Sequence, residues 1–182
     1  LSQQEEEIFV RAINAFGNCS EAFSSLNNAD IDLGYIKDEN GNDVKLTQSN
    51  YIVFMKSKDR SVRENAFNAM YNYYKNRKNT LASTYLGEIK ESSFVTNVKK
   101  YNSTLERSLF NDNIDISVYE NLIDTLHKNL NLMYDYMDLR KNMLNLDELH
   151  MYDIYVDLVE SNNDKIPFEE GKKILFEALK PL

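Results

Sequence analysis

Leu46-Thr47, then Tyr51-Ile52-Val53-Phe54, then Asp59-Arg60-Ser61-Val62-Arg63, Ala66-Phe67 and Tyr71 to Tyr74: this stretch decides the fold. Thr47 and Asp59 each carry a side-chain oxygen that can accept hydrogen bonds from the free N–H groups of a helix's first turn, so each predicts a helix start. Both helices then open toward a common apolar face. From Asp59 the stripe Val62, Ala66, Met70, Tyr74 repeats at spacing four, and Leu81, Tyr85 and Ile89 carry the helix or a successor onward. This element is expected to be among the longest.

Working outward toward the N-terminus, Ile8, Ala12 and Ala15 line one early helix, and Ala22, Phe23 and Leu26 line another after a break near Gly17. The two are expected to pair as a helical hairpin. Between Leu33 and Leu46 short apolar pieces flank Asp38-Glu39-Asn40-Gly41-Asn42-Asp43, and Asn-Gly tolerates the positive φ angles of a tight turn, which predicts two short strands. Toward the C-terminus, Asp115 predicts a further helix start. Val118, Leu122, Leu126, Leu130, Met133 and Met137 follow as a sustained seam expected to be buried, ending near Asn145. Leu149 to Tyr155 reads as an irregular or briefly extended link, and Pro167 starts a last helix with Gly171, Leu175 and Leu179 on one side.

With two prolines and five glycines in 182 residues, the fold class is mainly α: long helices packed as an array or bundle, with one small β-hairpin near residues 33–46. The chain shows no internal repeat, low-complexity tract or Gly/Ser linker. Its expected soft points are the Asp38 to Asp43 turn and the Ser161 to Lys165 loop.

Charge narrows the partners. The 29 acidic against 21 basic side chains give a net charge of −8, which argues against the phosphate backbone of a nucleic acid and against an anionic membrane surface. The start Leu1-Ser2-Gln3-Gln4-Glu5-Glu6-Glu7 lacks the basic and apolar regions of a secretion signal. Dense apolar runs such as Tyr51 to Met55 fall far short of the roughly 20 residues that cross a bilayer. Cys19 is the single cysteine and cannot form an internal disulfide, which suits a reducing compartment; a soluble, cytoplasmic chain is expected.

Residues that carry chemistry are few. A catalytic zinc site on a helix needs two histidines one turn apart with a carboxylate between them, and a third ligand farther along; His-Glu-x-x-His supplies the first three groups. The two histidines here, His127 and His150, are too far apart for that turn, and neither is followed by Glu. A two-histidine site completed by Glu148 or Asp153 is the functional alternative; a helix-face His127 and a packed His150 are the plainer one. Cys19 lies between Asn18 and Ser20 with no histidine nearby in sequence and reads as an inert thiol rather than a nucleophile. Asp38, Asn40 and Asn42 superficially follow a calcium loop, but Asp43 replaces the required Gly and Ser49 the closing Glu, so a hairpin turn is the better reading. Asn18-Cys19-Ser20 and Asn102-Ser103-Thr104 match the glycosylation pattern, which carries no meaning in a cytosolic protein. Tyr71, Tyr73, Tyr74, Tyr134 and Tyr136 could stack on a peptide or base, although aromatics at helical spacing usually fill a core.

The order of residues from Leu46 to Tyr74 resembles the segment of oligoendopeptidase F, a zinc metallopeptidase related to thimet oligopeptidase, in which the N-terminal lobe joins the helical peptidase domain. Leu33-Gly34-Tyr35-Ile36, Gly41, Val44 and Lys45 are similar to the hairpin before it. Lys100-Tyr101-Asn102-Ser103, Leu105-Glu106, Asn113-Ile114, Val118-Tyr119, Tyr136, Leu139-Arg140-Lys141, Leu144 and Leu149-His150-Met151-Tyr152-Asp153-Ile154-Tyr155 continue it. The pieces recur in order over roughly 150 positions, far more than a short motif. The resemblance implies that residues 1–46 are the C-terminal part of an N-terminal helical lobe with its hairpin. It also implies that residues 47–182 are the first helices of the peptidase domain, truncated before the zinc site. Leu1 in place of an initiating Met, and Leu175 to Leu182 resembling a family phrase that precedes further helices, make both ends expected cuts in a longer protein.

Two functions from different classes follow. In the first, the longer protein is a zinc-dependent metalloendopeptidase that hydrolyses short peptides. This piece then shapes the substrate cleft, lacks His-Glu-x-x-His, holds no catalytic residue and no metal ligand, and is inactive alone. His150, Tyr152 and Asp153 are the substrate-cleft candidates: Tyr152 and Asp153 could orient a wall of the cleft, since a carboxylate can hold a peptide N–H or a neighbouring arginine, although a structural hydrogen-bond role is favoured for both. Zinc is expected in the parent and not in this piece. Apolar surface left by absent helices makes self-association of the piece an expectation. In the second, the chain is a free-standing helical adaptor that binds a partner helix or peptide along the Val118 to Met137 seam.

Overall fold

The computed structural model describes residues 1–159 and 166–180, and for Asn14 and Ala15 the backbone alone. The Ser161 to Lys165 loop and the Ala15 side chain therefore lie outside the described residues. Helices dominate, and the strands are the antiparallel pair β1 (Tyr35–Lys37) and β2 (Asp43–Lys45), in the register Tyr35 with Lys45, Ile36 with Val44 and Lys37 with Asp43. Ile36 points into the core while Tyr35 and Lys37 face out, the period-two pattern of a half-buried strand. The turn between them is held by the Asp38 carboxylate, which accepts from the N–H groups of Asn40 at 2.9 Å and Asn42 at 2.8 Å and from the Asn42 side chain at 3.1 Å. Gly41 supplies the one left-handed φ of this turn, +82°, so the loop is wider than a two-residue Asn-Gly hairpin.

Both predicted caps at the centre are present. α3 (Gln48–Met55) starts at Thr47, whose hydroxyl accepts the Asn50 N–H at 3.2 Å while Asn50 Oδ1 accepts the Thr47 N–H at 2.8 Å. α4 (Arg60–Lys75) starts at Asp59, whose carboxylate accepts the Ser61 N–H at 2.8 Å. The hairpin is tied to the turn between these helices by Glu39, which accepts from the Ser57 hydroxyl and the Lys58 N–H. Leu33, Ile36, Leu46, Met55, Ala66, Met70, Tyr73 and Tyr152 form the core between hairpin, α3 and α4. The predicted stripe Val62, Ala66, Met70 is buried, with Tyr73 completing it and Tyr74 half-buried at its edge. In α3, by contrast, Met55 goes fully inside while Ile52 and Val53 face outward, because an apolar run on every side of a helix cannot all reach one core.

α1 (Gln3–Ala15) and α2 (Asn18–Ser24) both pack on α5 (Lys78–Val98), the longest described helix. The expected hairpin of the first two helices is thus replaced by a shared support. Gly87 allows it, since a Cβ there would lie 2.1 Å from Cys19 Sγ. The inward residue of α1 is Phe9, 6% exposed, and not the expected Ile8, 68% exposed. Phe9 stacks on Phe94 at 6.3 Å, under the Lys99 ammonium, and an isoleucine offers no ring for either contact. After α2, a π-helical turn at Ser25–Ala29 takes hydrogen bonds from Tyr73 to the Leu26 carbonyl and from Tyr74 to the Asn27 side chain, both 2.7 Å.

α6 (Thr104–Phe110) leads to α7 (Ile116–Lys128), capped by Asp115 as expected, and to α8 (Leu130–Met143). The long seam expected here is corrected twice. It breaks at Asn129, where one helix stops and the next begins, and it is exposed: Val118, Leu122 and Leu126 keep more than half of their surface in solvent, and Met137 is half-buried. Spacing aligns these residues on one face, but no described element lies over it. α8 ends two residues before Asn145, whose φ of +52° turns the chain away. A 3₁₀ turn at Met151–Asp153 follows, and α9 (Phe168–Ala178) begins directly after Pro167. Among the described residues no helix is long and apolar enough to cross a membrane.

Candidate functional site

The residues singled out around position 150 sit on the 3₁₀ turn, at the meeting point of the first turn of α4 and the last turn of α8. Asp153 is fully buried. Its Oδ1 accepts from Arg63 Nη2 at 2.8 Å and Arg60 Nε at 3.1 Å, and its Oδ2 accepts from Arg60 Nη2 at 2.9 Å and the His150 N–H at 3.0 Å. Both oxygens are therefore occupied. Burial alone would raise the Asp153 carboxyl, but the hydrogen bonds from Arg60, Arg63 and the His150 N–H, with the Arg60 charge, overcome it and hold the group at about 2.

The arginines bind more than the carboxylate. Arg63, also buried, donates through Nε to the Tyr152 carbonyl at 3.0 Å and through Nη1 to the Ser57 and Lys58 carbonyls, so one guanidinium on α4 binds both the 3₁₀ turn and the turn before α4. Arg60 reaches the Glu148 carbonyl at 3.2 Å. From the other side Arg140 Nη2 donates to the carbonyls of Asp153 at 2.8 Å and Val156 at 2.6 Å. Planar guanidinium groups with several fixed donors suit this work better than lysines would.

Above the carboxylate lies an aromatic stack. The His150 ring lies 5.0 Å from the Tyr152 ring, nearly parallel at 11°, with the Arg60 guanidinium 5.1 Å from the Tyr152 centroid and Phe67 edge-on at 5.8 Å. Burial raises the Tyr152 phenol above its ordinary value, partly offset by the Arg60 charge. Of the three candidates, His150 is half-exposed while Tyr152 and Asp153 face inward. The structure thus brings all three together, with a solvent edge at His150.

His127 does not join them. It lies exposed in the last turn of α7, with all of α8 between it and the loop that carries His150. His150 Nε2 is 3.9 Å from Glu148, and no group of three His, Cys, Asp or Glu side chains that could hold a metal occurs among the described residues. With Asp153 committed to arginines, these residues do not fit a zinc centre of three protein ligands. Cys19 borders a shallow cavity of about 320 Å³ lined by Phe23, Leu81, Thr84, Tyr85 and Glu88 and has no histidine among those neighbours.

Arg60, Arg63 and Arg140 are the residues that sequence reading left unassigned. A signal was there: Arg63 precedes Ala66, Phe67 and Met70 by three, four and seven residues, and Arg140 follows Met137 by three, so each cation falls within an apolar stripe. A buried cation requires polar partners, and Asp153 and its neighbouring carbonyls provide them.

The model of peptidase family M3 matches residues 53–178. Oligopeptidase PepF of Bacillus subtilis (strain 168) is 44% identical over 182 residues, which is 100% of this chain and 27% of that protein. An oligoendopeptidase F homolog of Borreliella burgdorferi is 36% identical over 182 residues, 30% of its length. The crystal structure of oligoendopeptidase-F from Enterococcus faecium superposes with a TM-score of 0.85 at 40% identity, covering 100% of this chain and 34% of that one. The chain thus spans about a third or less of the relatives it matches.

Proposed function

This chain belongs to peptidase family M3, and from that premise we propose that it is part of a longer zinc-dependent oligoendopeptidase that hydrolyses peptide bonds in short peptides in the cytoplasm. Residues 1–46 close the N-terminal lobe, and residues 47–182 supply the first helices of the peptidase domain. The chain's own contribution is the shape of the cleft. His150 forms a section of its wall with the Tyr152 ring stacked behind it, and Asp153 is a positioning residue that fixes this section through Arg60 and Arg63. Zinc, when bound in the longer protein, polarises the scissile carbonyl and activates water, and the residues that hold it belong to other parts of that protein. The observation that carries the reading is the family match across 53–178, which spans α4, α8 and the 3₁₀ turn that follows α8.

An adaptor that grips a partner helix would draw on the exposed α7 and α8 face, but it leaves the family match without a purpose. The test is to express the longer protein and the 182-residue chain side by side and follow an internally quenched peptide of about ten residues, with and without a chelator. The longer protein cleaves it and loses activity to the chelator, while the chain alone does not. Chelator-sensitive cleavage by the chain alone, or none by the zinc-loaded longer protein, overturns the proposal.

A further inference from the structure

We propose that Arg140 is a positioning residue for the cleft wall: it fixes the backbone that leaves the 3₁₀ turn, and through that backbone it sets the affinity for peptide. The effect on substrate rests on the cleft reading above, whereas the geometry rests on buried groups alone. A group buried within these 182 residues stays buried when more of the longer protein packs around them, so the argument is independent of what covers the outer faces. Arg140 is 4% exposed, Val156 3% and Asp153 not at all.

A turn of three residues is too short to satisfy its own carbonyls, so those at its end need donors from elsewhere. Arg63 on α4 donates to the Tyr152 carbonyl at 3.0 Å. Arg140, in the last turn of α8, donates through Nη2 to the carbonyls of Asp153 at 2.8 Å and Val156 at 2.6 Å. These two bonds fall on either side of Ile154-Tyr155 and set the direction in which the chain leaves the turn. The guanidinium is itself aimed by Tyr136 one helical turn back, whose hydroxyl accepts from Nη1 at 3.1 Å. Two helices thus share the work, α4 holding the turn and α8 its exit. His150 and Tyr152 stand on the same short stretch, so a shift of its exit displaces the wall without touching the residues that perform the cleavage. A contact made equally in the ground state and the transition state, once weakened, raises KM and leaves kcat as it was.

The test uses the longer protein and an internally quenched peptide of about ten residues. In Arg140→Met, KM is expected to rise about three- to tenfold, with kcat within about twofold of the wild type and bound zinc unchanged. Hydrogen exchange over residues 151–156 is expected to rise about tenfold or more, as for the loss of one hydrogen bond to a charged group, while α4, α7 and the hairpin exchange as before. Arg140→Lys, which keeps a charge and donors in the same place, is the second variant should Met prevent folding, and it moves KM and exchange in the same direction by less. Unchanged KM or unchanged exchange in a folded variant overturns the proposal. So does a fall in kcat and zinc with exchange raised equally across α4 and the hairpin, which would make Arg140 part of the common core. A wild-type longer protein that cleaves no peptide refutes the cleft reading, and with it the effect on substrate, while exchange over residues 151–156 still decides whether Arg140 holds the turn.

Discussion

Replacing Asp153 by Asn tests whether the buried carboxylate ties the 3₁₀ turn to α4. The substitution keeps shape and removes the charge, leaving Arg63, itself buried, with carbonyls alone. Breaking a buried pair by neutralising one partner costs about 3–5 kcal/mol. Part of that cost depends on pH. Asp153 titrates at about 2 in the folded chain against 3.8 for an ordinary aspartate, so its contribution is present above pH 3.8 and is lost as pH falls through 2. At about 1.4 kcal/mol per pKa unit this amounts to about 2.5 kcal/mol, most of it gone by pH 2. Urea denaturation followed by circular dichroism should therefore place Asp153→Asn about 3–5 kcal/mol below the wild type at pH 7, with the gap narrowing by about 2 kcal/mol near pH 2. A gap that stays constant with pH, or a variant as stable as the wild type at pH 7, would refute the reasoning.

Two further outcomes can be measured on the same chain. Gly87→Ala should destabilise by about 1–3 kcal/mol despite the better helix propensity of alanine, because the new Cβ meets Cys19 Sγ at 2.1 Å. Adding Cys19→Ala should recover part of that loss, since Cys19 Cβ still lies 2.8 Å away; purely additive losses in thermal melts would contradict the close approach. The outward face of Val118, Leu122, Leu126 and Met133 should bind a hydrophobic dye and drive concentration-dependent association, and a monodisperse monomer that leaves the dye dark would count against it.

How far the sequence could be read follows from the kind of signal each element leaves. Thr47, Asp59 and Asp115 cap helices because their bonds join residues two or three apart, a local property written in adjacent letters. The hairpin was legible for the same reason, through Asn40-Gly41 between two short apolar pieces. The Val118 to Met137 seam was misjudged because periodicity states which side chains share a face and is silent on what covers it. Phe9 won over Ile8 through contact with Phe94, 85 positions away, which no local pattern carries. At the site, His150, Tyr152 and Asp153 were found through resemblance, whereas their arginine partners come from helices on either side of the turn. A cation inside an apolar stripe was the available clue, and only folding names its acceptor.

The central claim is that these helices wall a peptidase cleft whose chemistry is performed elsewhere in a longer chain. The most direct measurement is the nucleotide sequence of the parent gene downstream of the codon for Leu182. The account predicts a continued reading frame that encodes further helices and, among them, His-Glu-x-x-His. A stop codon there, or an unrelated domain without that pattern, would contradict it.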